Sequence, residues 1–505
     1  MAVITAMAPT VARADDRRLA IPTPLDQYTG LPAAESPYLY LNRCTGGCTI
    51  TGGANDAAGR SSSIPTAGAH MIGEFTNVFG QTGAAGTCLV DNTTPCTADA
   101  QCPLDGSMQP TKCDTADYEW GLVVQCMKEV YSPYAITLSD QQPVGVAYTE
   151  AIIAGQPGDI GQAGDILGVA PLAGDCSAQN NVISFTFANH HPPGAHALNV
   201  CWTAAQESAH AFGLDHEYQF LDGRSACNDP MTYRADCGGE KFFRNFEAQC
   251  GEYTTRACRC TATQNSHVRL IKVFGTGTPI TAPPVIQIVT PLSGTIGPTA
   301  GVHASASAQR GIAKVELWLN NSKWLEVPGA PFGQTGQGVA DYLMVLPANV
   351  PNSILDIVTK AYDDLGTETD SQTVTVTLGP AGGCTDASGC LPEQKCSAGK
   401  CYWDPPTSGL GATCTYNQAC TTWDCADLGA GHKQCTQSCS PYEDGSCPSG
   451  FVCATAGNTG FCVADTGGGG CCSASERSWP GAGALSFAVG VVVLRRGRRR
   501  SRRRR

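Results

Sequence analysis

The chain has 505 residues, 28 of them cysteine and 58 glycine, with only 15% charged side chains and a formal net charge of −12. This length calls for several domains, and the acidic balance excludes a surface built to neutralise nucleic-acid phosphates. So many cysteines, few at zinc-ribbon spacing, exclude a reducing cytosol as the working compartment and point to disulfides and export.

The N-terminus "MAVITAMAPTVARADD" joins a short apolar stretch to Ala12-Arg13-Ala14, a small-x-small cleavage pattern. Residues 1–14 therefore read as a signal-peptide remnant that lacks the basic n-region, with a disordered Ala-rich end as the alternative. Cysteines then partition the chain. Residues 44–260 hold 14, residues 261–383 none and residues 384–462 hold 12, with Cys471 and Cys472 last. Each count is even, so each segment is expected to close its own disulfides, in a connectivity that sequence leaves open.

Residues 35–275 mix helix and strand signals. Apolar side chains at helical spacing predict a helix within 119–134. The runs "YAITLSD", "GVAYTEAIIAG" and "NVISFTFAN" predict strands, and 201–213 predicts a second helix that ends at Gly213. Residues 88–113 read as a disulfide-stapled surface insertion. Residues 276–284, rich in Thr and Pro, predict a linker. From 285 to 380 several short alternating runs, among them "KVELWLNN" and "SQTVTVTLG", predict an all-β sandwich whose pattern resembles bacterial immunoglobulin-like domains.

Residues 383–465 carry too few long apolar runs to build a core, so a small disulfide-rich module is expected. A zinc-binding reading finds one histidine there, His432. The tail, 467–505, strings together a glycine run, the pair Cys471–Cys472, an apolar stretch over 481–494 and nine arginines. The apolar stretch is shorter than the roughly 20 residues of a spanning helix, and the arginines would stay on the cytoplasmic side. The order of parts resembles the myxobacterial C-terminal sorting signal. It implies processing at Cys471 or Cys472 and membrane or cell-surface association through the tail. An ordinary tail anchor is the alternative.

The chemistry concentrates in "QESAHAFGLDH", residues 206–216. Residues four apart on a helix share a face, so Gln206 and His210 aim at one spot, with Glu207 entering from the side. Gly213 permits the positive φ that turns the chain and returns His216 as a third donor. Zinc at a catalytic site takes three protein donors and a water, whose proton an adjacent carboxylate accepts. Taken singly, each residue has a plain alternative. Glu207 could be a surface carboxylate, His210 a hydrogen-bonded core histidine, and Met231 and Tyr233 ordinary packing.

Together, "QESAHAFGLDH" and "CNDPMTY" (227–233) resemble the extended zinc signature and Met-turn of the metzincin peptidases. "GLDH" points to matrixin-like members. The resemblance covers roughly 35–275. It implies an α/β metzincin-like catalytic domain, Zn2+ as cofactor, and a protein or peptide substrate aligned along "DILGVAPL" (165–172). It also implies Gln206, His210 and His216 as the metal set, Glu207 as the catalytic carboxylate, Met231 as the floor beneath the metal, and Tyr233 as metal or oxyanion partner. The departure is Gln206, where the family has histidine. A neutral amide oxygen is a poorer zinc donor than imidazole. His190, His191 and His196 in "NHHPPGAH" are candidate substitute donors, with a solvated loop or a site for another metal as the alternatives.

Two functions follow. One is an exported, surface-anchored zinc endopeptidase. The other is a catalytically inactive relative that binds or adheres through its peptidase-like and immunoglobulin-like domains. The sequence has no Gly-rich phosphate loop and no Gly-x-Ser-x-Gly elbow to suggest a third.

Overall fold

The computed structural model describes residues 36–465, apart from 106, 235–236, 238, 330–337, 428–432, 440–446 and 457–458. The expected signal-peptide remnant at 1–14, His432 and the tail at 467–505 with Cys471 and Cys472 lie outside the described residues. Within them the chain is multidomain and mostly β, with three α-helices. No helix among the described residues is long and apolar enough to cross a membrane.

The first core rests on a five-stranded sheet. Its spatial order is Gly168–Val169, Ile183–Thr186, Thr149–Ile153, Tyr38–Asn42, Thr137–Ser139. All neighbours run parallel except the edge strand Gly168–Val169, which is antiparallel to Ile183–Thr186. Thr149–Ile153 is buried at every position, as a central parallel strand covered on both faces must be.

Helix α1 (Ala116–Tyr131) starts where Thr115 accepts a hydrogen bond from the Tyr118 amide at 3.0 Å, with Asp117 and Glu119 in its first turn. It buries Ala116, Trp120, Val123, Met127 and Val130 at helical spacing. Helix α2 (His196–Ala211) buries twelve of its sixteen residues. It can lie so deep because Ala204, Ala205, Ala209 and Ala211 present little bulk. A disulfide from Cys126 to Cys201 ties α1 to α2, and Tyr131 Oη meets Ser208 Oγ at 2.7 Å.

The expected helix at 201–213 begins earlier, at His196. Gly194 and Ala195, both at positive φ, turn the chain into it, and apolar burial already follows a helical period from Ala197 through Val200 to Ala204. It ends just before Gly213 (φ +88°), where a Cβ would meet the Cys176 carbonyl oxygen at 2.1 Å. Only glycine fits that turn. Helix α3 (Ser266–Phe274), capped by Asn265, closes the first core.

The segment expected as a linker is strapped down. Gly277 N donates to Pro133 O at 2.8 Å, Ile280 N to Ser132 Oγ at 3.1 Å and Ala282 N to Gln309 Oε1 at 3.1 Å. Backbone donors that find protein partners do not remain free spacers.

The second core lies between two sheets. One has the order Val285–Thr290, Gly301–Ser307, Ala340–Val345. The other runs Thr295–Ile296, Val374–Leu378, Ile354–Tyr362, Lys314–Leu319, Ser322–Pro328. Burial alternates strictly along Ile354–Tyr362, the period-two pattern of a sandwich strand.

Past 383 the chain folds as three successive four-cysteine units. Each pairs its first cysteine with its third and its second with its fourth: 384–396 with 390–401, 414–425 with 420–435, and 439–453 with 447–462. The insertion at 88–113 repeats this order, 88–102 with 96–113. None of the disulfides among the described residues joins 44–260 to 384–462. The first two of these C-terminal units dock on the sandwich through Trp318–Trp423 and Trp324–Trp403 ring contacts and an Asn320 Nδ2 to Cys401 O hydrogen bond of 2.9 Å.

Candidate metal centre

Helix α2 carries Gln206, Glu207 and His210, all less than a tenth exposed, and the turn at Gly213 brings His216 back to His210. His210 Nε2 and His216 Nε2 lie 3.0 Å apart, with the rings nearly perpendicular. The far nitrogen of each ring is engaged. His210 Nδ1 sits 2.7 Å from the Leu214 carbonyl oxygen, and His216 Nδ1 sits 3.1 Å from Glu252 Oε1. Both oxygens accept, so both Nδ1 atoms carry the hydrogen, and each Nε2 turns a lone pair toward the other.

Burial, then the neighbouring His216, holds the His210 imidazole at about 4, and burial also pushes His216 below its usual range. Both rings are therefore neutral near pH 7, and two neutral lone pairs at 3.0 Å repel unless a cation stands between them. Two nitrogens bound to one zinc at ~2.0–2.1 Å come this close. The donor set fits a metal ion.

The other candidate side chains have the following surroundings. Glu207 is packed under the edge strand: a Cβ on Gly168 would meet Glu207 Cγ at 2.5 Å. Burial pushes the Glu207 carboxyl up to about 8. Met231 is fully buried; its amide donates to Asp229 Oδ1 at 2.8 Å and its carbonyl accepts from the Glu217 amide at 2.6 Å. The Tyr233 ring lies 4.5 Å, centroid to centroid, from His216. Burial first, then the Glu207 and Glu252 charges, pushes its phenol up to about 12, so it stays protonated.

The three loop histidines fare differently. His190 Nε2 contacts Asp165 at 2.8 Å. His196 starts α2, bound through Nδ1 to Glu119 at 2.5 Å and through Nε2 to Ala188 O at 3.2 Å. His191 is buried with neither ring nitrogen hydrogen-bonded, yet it joins no three-donor group of His, Cys, Asp and Glu atoms among the described residues.

No family model and no curated protein matches the chain. Among solved structures, the chain is similar to the fibronectin(III)-like modules of Clostridium thermocellum CbhA, at 15% identity and TM-score 0.15, over 19% of this chain and 94% of that one. It is also similar to the immunoglobulin-like domain of mouse leukocyte-associated immunoglobulin-like receptor 1, at 14% identity and TM-score 0.15, over 20% of this chain and 100% of that one.

Spacing named Gln206, Glu207, His210 and His216 as candidates, and the resemblance added Met231 and Tyr233; the structure brings together His210, His216 and Tyr233. Asp215, Glu252 and Arg256 were not assigned roles. Arg256 pairs with both Asp215 oxygens, at 2.6 and 2.9 Å, and with Glu252 Oε1 at 2.7 Å. The only sequence signal for this group was that Glu252 and Arg256 fall between Cys250 and Cys258, which the structure joins.

Proposed function

We propose that this chain is an exported zinc-dependent endopeptidase of metzincin type, anchored at the cell surface by its tail. The observation that carries the reading is the pair of Nε2 atoms facing one another, each imidazole fixed through its Nδ1, with the buried Glu207 three residues before His210 on the same helix. Gln206, one helical turn before His210, would supply the third donor through its amide oxygen. Zinc bound there supplies Lewis acidity toward a water molecule and the scissile carbonyl.

The chain's own groups do the rest. Glu207 would accept a proton from the attacking water as the carboxylate, the form a bound cation favours over the neutral acid that burial alone stabilises, and return it to the leaving amine. The protonated Tyr233 phenol donates to the oxygen that gains charge at the carbonyl carbon. The edge strand Gly168–Val169, lying on Glu207, offers an extended peptide backbone partners beside that carboxylate. The density of disulfides supports an oxidising, extracytoplasmic setting.

The second reading, an inactive binding or adhesion protein, is favoured by Gln206, since loss of one imidazole weakens a three-donor site. Zinc content after dialysis and cleavage of a mixed peptide library separate the two. Under the enzyme reading, wild type retains zinc and cleaves, Gln206→His binds zinc more tightly, and Glu207→Ala keeps zinc but loses cleavage. If neither wild type nor Gln206→His holds zinc or cleaves, the binding-protein reading replaces the enzyme.

A further inference from the structure

We propose that Glu252 is a positioning residue for His216, fixing the imidazole tautomer and strengthening it as a metal donor. This rests on the zinc reading above. The strand Glu217–Phe220 follows His216 directly and pairs antiparallel with Ala248–Cys250, placing Glu217 opposite Cys250. The loop leaving that strand is closed by the Cys250–Cys258 disulfide, and Gly251 N donates to His216 O at 2.9 Å. Gly251 sits at φ +144°, where a Cβ would meet the Thr254 carbonyl oxygen at 1.9 Å, so the loop is tight enough to require glycine.

Within this loop Arg256 fixes the carboxylate. Its guanidinium reaches Glu252 Oε1 at 2.7 Å and Oε2 at 3.3 Å while gripping both oxygens of Asp215. Asp215 in turn accepts the His216 backbone amide at 2.8 Å. His216 is thus held at its amide by Asp215 and at its ring by Glu252, with one arginine spanning the two carboxylates. A carboxylate on Nδ1–H leaves Nε2 as the only donor atom and shifts electron density toward it. With a neutral amide at 206, the two imidazoles carry most of the binding, so what strengthens His216 counts for more. Asp215, His216 and Glu252 also cluster as a three-donor group of their own. Both carboxylates there already face a cation, Arg256, so the cluster serves the ring rather than a second metal.

The test measures zinc affinity by chelator competition, and the visible spectrum of the Co2+-substituted protein, for wild type, Glu252→Ala and Glu252→Gln. Glu252→Ala is expected to weaken zinc by ~10–100-fold and alter the Co2+ spectrum. Glu252→Gln, whose amide oxygen still accepts from Nδ1–H, is expected to recover part of both. Equal affinity and an unchanged spectrum in Glu252→Ala, with wild type binding zinc, overturn the positioning role and leave the zinc reading standing. Weakened binding that Glu252→Gln does not relieve, with the melting temperature of the metal-free protein lowered in both variants, also overturns it, in favour of a purely structural loop contact. Failure of wild type to bind zinc overturns the zinc reading and this role together.

Discussion

Glu207 shows at the scale of one residue what spacing reveals and what it hides. Its place beside His210 was legible from the eleven-residue pattern, because helical periodicity alone puts it at the cleft. Its burial was not, because the strand that covers it comes from a distant part of the chain. Glu207→Gln keeps the shape and removes the proton acceptor. Peptide cleavage should fall by ~10²–10⁴-fold with zinc content unchanged. Gly168→Ala tests the cover itself. The new Cβ would lie 2.5 Å from Glu207 Cγ and 2.7 Å from Oε1, so the carboxylate must shift. Turnover should drop while the metal stays, as read by steady-state kinetics alongside metal analysis. Unchanged turnover in Gly168→Ala would mean that Glu207 is not held where the edge strand places it.

At the scale of elements, strand Lys314–Leu319 buries a charge on the face opposite Val315, Leu317 and Leu319, where alternation predicts an exposed polar side chain. Glu316 is buried, 2.6 Å from Lys314 Nζ and 2.7 Å from Lys323 Nζ. Burial pushes its carboxyl up, but the two ammonium groups prevail and hold it at about 2. A depressed folded-state pKa means stability that is fully present above the ordinary value near 4.5 and is lost as pH falls toward 2. Urea unfolding should therefore show stability dropping over that window by an amount on the order of 3 kcal/mol from this group. Glu316→Gln should flatten that part of the profile, and an unaltered profile would refute the assignment.

The four-cysteine units belong at this scale too. Parity indicated that pairing stays within segments, while the shared first-to-third, second-to-fourth order emerged only in three dimensions. Peptide mapping without reduction should recover that order in all four units; adjacent pairing such as Cys384–Cys390 would contradict it.

At the scale of the molecule, the sandwich is not a tethered appendage. Arg310 and Arg244, both fully buried, converge on Asp364. Arg310 Nε and Nη2 reach it at 2.7 and 2.9 Å, and Arg244 Nη1 at 3.3 Å. Arg244 comes from the first core, and its backbone amide donates to Asp229 Oδ2 at 2.7 Å. Asp229 also accepts the Met231 amide, so the sandwich is linked through hydrogen bonds to the turn at Met231. Asp364→Ala removes the carboxylate that two buried guanidinium groups share and should destabilise the protein by about 3–5 kcal/mol. Chemical denaturation measures this, and a loss below 1 kcal/mol would show that the cluster does not join the two cores as drawn.

By itself the sequence determined the periodic and local features: helices where apolar residues recur at 3.6, sandwich strands where they alternate, an export-compatible cysteine content, and the candidate centre, whose spacing is short enough to be set by one helix and one glycine turn. His210 and His216 lie within a seven-residue span, so local geometry suffices to bring their Nε2 atoms together. Tertiary structure alone decided what depends on distant segments meeting. It placed Glu252 behind His216 and Gly168 against Glu207. It engaged His190 with Asp165 and His196 with Glu119, so that neither turns toward the centre. It strapped residues 276–284 to both the first core and the sandwich and buried Asp364 between two arginines. The physical reason is the same throughout. Periodicity and turn chemistry act over a few residues, whereas the partner of a buried charge or a free lone pair is set by whichever part of the chain packs against it.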